Sequence, residues 1–279
     1  MSRVAIVKGT DPLEMTVRAL EMADAIAAIP TEKPVLIKPN YVTPEHPSTG
    51  ITTDSRVTEG VVKFLRRHGL KEIIIGEGTG FGDTFQAFKV AGVDAVAERW
   101  NVRMVDLNQD EFIEVRPRNP LAMKKVKIAK TALESTIISV PKLKPHRMAG
   151  VTLSLKNMMG AMTPKGSMHT NLGKNIVDLA CVIGPSVAVI DGIIAGEGHE
   201  TSGNPVEMDL VIAGTDPVAV DAVGAAVMSI PPQAVKHLRL AEEHGLGTCS
   251  LERIQIVGEP LEKVRRKFRT SFVTKLLQM

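Results

Sequence analysis

Apolar and polar positions along this chain switch repeatedly between two spacings. Short β-branched runs, "RVAIVKG" (3–9), "KPVLIKPN" (33–40) and "KEIIIGEG" (71–78), read as buried strands. Between them the apolar positions recur near every 3.6 residues. In "DPLEMTVRALEMADAIAAI" (11–29) they are Leu13, Val17, Leu20, Ala23 and Ala27, and "SRVTEGVVKFLRRHG" (55–69) closes on Gly69, a residue suited to a helix stop. "DTFQAFKVAG" (83–92) follows the third strand. Strand–helix–strand units of this length predict a parallel sheet with right-handed crossovers. "NVRMVDL", "FIEVRP" and "KKVKIAK" are shorter strand-like runs, predicting an antiparallel flap or insertion within residues 100–130. The first pattern then resumes. Strands are predicted at "STIISVPKL", "SVAVIDGI", "EMDLVIAG" and "RIQIVGE", and helices at "NIVDLACVIG", "DPVAVDAVGAAVM" and "QAVKHLRLAEEHG". The expectation is an α/β fold: a mostly parallel sheet flanked by helices, with a small inserted strand-rich segment. Residues 1–260 form one domain. Residues 261–279 read as a basic C-terminal helix, with Val264, Phe268, Phe272 and Leu276 spaced to dock on the body or on a second copy in a homo-oligomer. Strand order is not readable from the pattern.

Composition removes several function classes. With 279 residues, 44 % of them hydrophobic, the chain can bury a sizeable core. A net charge of +3 and 3 % aromatics give neither the charge nor the stacking surface of a nucleic-acid binder. The first residues turn polar too soon for a signal peptide, and no apolar run is long enough to span a membrane, so a cytoplasmic location is expected. Cys181 and Cys249 stand far apart, providing no ligand set for an iron–sulfur cluster in this chain alone. No G-x-S-x-G or Cys–His arrangement suggests a nucleophilic triad.

Candidate chemistry collects in the loops that leave strand ends, where ligands of open α/β sheets bind. "SVPKLKPHRMAGVTLSLKNMMGAMTPKGSMH" (139–169) holds Lys142, Lys144, His146, Lys156, Asn157, Lys165 and His169, while "IKPN" ends a strand with Lys38 and Asn40. Ammonium groups neutralise a phosphate or carboxylate, Asn orients it and His moves a proton. Lys156 and Asn157 fall at an expected helix start, and free N–H groups there favour anions. Solvated surface lysines are the plain alternative. The glycine loop "GEGTGFGD", with Gly78 and Gly80, has the strand-to-helix context of a phosphate cradle or of a simple tight turn, and it matches neither the dinucleotide fingerprint nor the P-loop. Asp191 at a strand end and Glu197 beyond it could hold Mg²⁺ or Mn²⁺, or Asp191 could pair with one of the lysines. Asp54 and Asp216 read as helix caps, and His237 and His244 as surface histidines.

The ordered set "IKPN", "TD", "IGEG", "VPKLKPH", "LKNMMG", "VIDGIIAGEG…GNP" and "AGTDPVAVDAVG" resembles the domain-of-unknown-function family 362 across nearly the whole chain. That resemblance implies a fold and a motif set but no reaction. Many members carry a ferredoxin-like segment with iron–sulfur cysteines, which is missing from these 279 residues. Two functions are therefore expected. In the first, an anionic small molecule binds at the carboxyl edge of the sheet, with or without a divalent metal. Lysines hold it, and His146 or His169 with Asp191 or Glu197 transfer protons in a lyase, isomerase or hydrolase reaction. The second is a non-catalytic protein that handles a metal or cofactor, or assists iron–sulfur redox chemistry in a partner.

Overall fold

The structure, a computed structural model, describes residues 1–270. Thirteen strands occur among these described residues, in chain order. β1 (Ser2–Lys8), β2 (Val35–Pro39), β3 (Ile73–Glu77) and β4 (Arg103–Asp106) come first, then the short β5 (Phe112–Val115) and β6 (Val126–Ala129). β7 (Thr136–Val140) follows, and then the two-residue strands β8 (Pro145–His146), β9 (Gly150–Val151) and β10 (Met162–Thr163). A long pair, β11 (Val187–Glu197) and β12 (Asn204–Gly214), precedes β13 (Ile254–Gly258). Eight of them form one sheet in the order β13-β1-β12-β11-β7-β2-β3-β4. All pairings in it are parallel except those that β12 makes with β1 and β11, so one strand of eight runs against the rest.

Both faces of this sheet are covered, which explains why its strands read as continuous apolar runs. Successive residues point to opposite sides. Val4, Leu36, Ile74, Ile137, Ile190 and Ile212 enter the core under helices Leu172–Ile183, Pro217–Val227 and Lys236–Glu243. Ala5, Ile37, Ile75, Ile138, Val189 and Val211 enter the other, under helices Pro12–Met22, Ser55–Arg67, Thr84–Ala91 and Val93–Trp100. The helix starts are where capping chemistry puts them. Asp54 accepts from the Arg56 amide, and Asp216 accepts from the Ala219 amide with Pro217 in the first turn.

Three expectations need correction. The run 101–107 supplies β4, an edge strand of the main sheet, and only the next two runs build the separate antiparallel sheet β10-β6-β5. Among the described residues beyond 260 the helix lasts only from Leu261 to Val264, because Arg265 is already extended. The segment then runs beside the β11–β12 turn, where the Gly198 amide donates to the Arg269 carbonyl at 2.8 Å. Phe272 and Leu276 lie outside the described residues. His237 is buried rather than on the surface, and that burial drives its pKa down to about 3, so the ring is neutral. No helix among the described residues is long and apolar enough to cross a membrane.

Candidate functional site

β2, β3, β7 and β11 run in one direction, so the segments leaving their carboxyl ends meet along one edge of the sheet. There they enclose a cleft of about 440 Å³. β2 contributes Lys38 and Asn40, and β3 contributes Glu77, Gly78 and Gly80. The segment after β7 brings Lys144, His146 and Arg147, a one-turn helix (Ser154–Asn157) brings Lys156 and Asn157, and the following 3₁₀ turns bring Lys165 and His169. The β11–β12 connection adds His199 and Glu200. The lining thus holds five Lys or Arg side chains and two glutamates.

The floor of the cleft is a closed polar network. Lys38 Nζ lies 2.6 Å from Glu77 Oε1, with both side chains almost wholly buried. Glu77 also accepts from the Tyr41 amide at 3.0 Å and the Gly78 amide at 2.8 Å. Asn157 Nδ2 donates to the carbonyls of Lys38 and Pro39 and to Ser139 Oγ, which turns its Oδ1 toward Lys38 Nζ and Asn40 Nδ2. Asn40 is thereby oriented as well, and its Oδ1 has no hydrogen-bond partner among the described residues. Thr152 Oγ1, also in the lining, is buried without one too. Buried polar atoms are rarely left so, and orphans facing a cavity are where a ligand's own polar groups fit.

Gly160 is required beneath this network. A Cβ there would collide with Glu77 Oε1 and Lys38 Nζ, and one on Gly78 with the Gly160 carbonyl. Gly160→Ala is expected to force the Lys38–Glu77 pair apart and cost about 1–3 kcal/mol, read from the midpoint of urea unfolding.

The upper cations differ from the floor. Lys144 Nζ donates to the carbonyls of Ile51 (2.7 Å) and Glu200 (3.0 Å). Burial, with repulsion from Lys156 and Lys142, brings its pKa down to about 7. Lys165 reaches Asn108 Oδ1, and burial lowers its pKa. Lys156 has no hydrogen bond or ion pair among the described residues, and burial lowers its pKa to about 8 despite Glu200 nearby. His146 Nδ1 accepts from the amides of Met148 and Ala149, both at 3.1 Å, which puts a neutral ring's proton on Nε2, 3.6 Å from Glu200 Oε1. Burial, then the positive charge of Lys156 and Lys144, keeps that ring neutral by lowering its pKa.

Several residues expected at the site lie elsewhere. Lys142 and Asp191 form a fully buried pair at 2.6 Å and do not line the cleft. Asp191 also accepts from the amides of Asp54 (2.6 Å) and Ile193 (2.9 Å). It sits inside β11, not at its end, because the strand continues to Glu197. Glu197 accepts from the Arg269 amide at 2.9 Å and pairs with its guanidinium at 3.3 Å. Among the described residues no three His, Cys, Asp or Glu side chains form a group that would hold a metal ion. Nor are the first two N–H groups of the helix start at Ser154 free. The carboxylate of Asp221 takes the Ser154 amide at 2.7 Å and the Leu155 amide at 3.0 Å, so this buried acid fixes the turn that carries Lys156. The glycine loop is likewise engaged internally, the amides of Gly80 and Phe81 donating to the Val42 carbonyl. Cys249 donates to Glu242 at 3.1 Å, and burial first and that carboxylate second push its thiol up to about 12, unfavourable for a thiolate ligand. Arg147 and Thr152 escaped the sequence reading, and Glu200 stood out there only as one acid of a cluster, since only the return of the β11–β12 connection over the cleft distinguishes it from its acidic neighbours.

Residues 35–226, more than half of the chain, match the family described as Domain of unknown function (DUF362). The chain belongs to that family. The DUF362 span contains the whole cleft lining, from Lys38 to Thr201. This DUF362 chain is also 24 % identical over 241 residues to a thylakoid-associated protein of Synechocystis sp., covering 82 % of this chain and 74 % of that relative.

Proposed function

We propose that the cleft binds a small organic anion, carboxylate- or phosphate-bearing, and that its amines serve proton transfer on that ligand. One observation carries this: Lys156 projects a partnerless amino group into a cleft where cations outnumber carboxylates. Crowded, desolvated ammonium groups repel one another, and an anion relieves that repulsion while restoring their protons. The orphan atoms of Asn40 and Thr152 supply polar contacts for the uncharged part of the ligand. An amine whose pKa lies near neutrality can accept or return a proton, which suits a lyase, isomerase or hydrolase reaction on an organic acid. A cytoplasmic location, where such acids are exchanged between enzymes, is part of the proposal; association with thylakoids is said only of the relative.

The test is calorimetric titration with sulfate and with acetate. Lys156→Met is expected to weaken sulfate binding about 10–100-fold, corresponding to the loss of one charge-assisted contact. Its melting temperature should not fall, because a desolvated charge has been removed. Equal affinity in the variant and the parent would overturn the assignment.

A further inference from the structure

The four lysines of the cleft are not equivalent in what their nitrogens are already doing. Lys38 is held by Glu77, Asn157 and the Pro39 carbonyl, so its lone pair is committed to a proton. Lys144 is tied to two carbonyls, which anchors residues 51 and 200 and leaves its ammonium one N–H for an anion. Lys165 is turned to Asn108. Lys156 alone among these lysines has no hydrogen bond or ion pair among the described residues, only the more distant charge of Glu200, and Asp221 and Asn157 fix the turn that presents it. A rigidly presented, partnerless amine among fixed cations is the arrangement that makes lysine a nucleophile toward carbonyl carbon.

We infer that Lys156 forms an imine with the ligand, and that the ligand is therefore an anion carrying an aldehyde or ketone, such as a 2-oxo acid. The inference rests on the anion-binding proposal. Lys156 Nζ adds to the carbonyl carbon while the C=O π pair moves to oxygen, which takes a proton to give a carbinolamine. A second proton converts the hydroxyl to departing water as the nitrogen lone pair forms the C=N bond. Counting the proton that nitrogen loses on addition, amine, carbonyl compound and one proton give iminium and water. The Lys144 ammonium is the neighbouring acid, and with Lys165 it holds the ligand's carboxylate. An iminium then acts as an electron sink for proton removal at the adjacent carbon. At a pKa of about 8, Lys156 also holds far more free amine near neutral pH than an ordinary surface lysine does.

The experiment uses glyoxylate, the smallest aldehyde acid, with sodium cyanoborohydride on the full chain. The reagent's hydride reduces the iminium carbon and fixes a carboxymethyl group on nitrogen, located by peptide mass spectrometry. The expected result is one adduct per chain, at Lys156. It should form at least about tenfold faster than at any other lysine, be suppressed by sulfate, and be lost in Lys156→Met and Lys156→Gln. Should sulfate bind and compete with acetate while glyoxylate labels lysines indiscriminately, the imine is overturned and the anion site stands. Failure of sulfate and acetate to bind, together with indiscriminate labelling, would overturn both. Mapping the parent chain decides the matter even if a variant does not fold.

Discussion

Replacing Lys142 with methionine is expected to cost about 3–5 kcal/mol of folding stability, the largest stability effect of any single change considered. Neither member of the Lys142–Asp191 pair is exposed, and Lys142 Nζ has no other acceptor among the described residues. Removing the ammonium leaves a buried carboxylate supported only by the amides of Asp54 and Ile193. Its charge then lies in a low-dielectric interior with no ion-pair partner in contact. Asp191→Asn should cost a similar amount from the other side. Replacing both residues with apolar ones should recover only part of the loss, because the two amides would then lack an acceptor, at about 1–3 kcal/mol each. Urea unfolding of the two single variants and the double variant measures this. If Asp191→Asn leaves the midpoint unmoved, the pair is not what holds β11 to the segment after β7, and a functional role for Asp191 returns.

Sulfate affinity is expected to fall by on the order of a thousandfold between about pH 6 and about pH 9. Sulfate binds the ammonium forms, and the unliganded cleft loses those forms as pH rises through about 7 for Lys144 and about 8 for Lys156. At pH 9 roughly a hundredth of the first and a tenth of the second remain charged. Sulfate itself does not titrate across this range, so the slope belongs to the protein. Between those pKa values binding must draw protons from solution. Calorimetry in two buffers of different ionisation enthalpy should therefore give different apparent heats. The stability of the unliganded protein moves in the opposite sense. Lysines with lowered pKa bind fewer protons folded than unfolded, so their contribution to stability rises with pH from about 7 toward the ordinary lysine value. A flat affinity profile would mean that neither amine contacts the anion.

Much of the fold was legible because it is written in local periods. Strands covered on both faces read as unbroken β-branched runs, and the caps at Asp54 and Asp216 announce their helices. Strand order was not legible, since pairing is settled between segments far apart in sequence. That gap accounts for the misplaced acids. Asp191 looks like a strand-end carboxylate because glycine follows it, yet β11 continues past Gly192 through an irregularity in its pairing with β12. The lysine that neutralises it was visible, but which of several lysines would arrive could not be read. Similarly, the polar character of "LKN" was plain, while the acid that caps its turn, Asp221, sits 65 residues beyond Lys156 in a separate helix, and nothing local ties the two together.

The place of β1 in the sheet bears on how the chain is made. This first strand pairs only with β12 and β13, whose residues begin at Asn204 and Ile254. At ribosomal rates of ~5–20 residues per second, roughly 10–40 s pass between synthesis of β1 and that of its first partner. Throughout that interval an apolar strand with two unpaired edges waits in the nascent chain. The sheet therefore closes as a late, long-range event, and the newborn polypeptide carries an aggregation hazard that the finished molecule conceals.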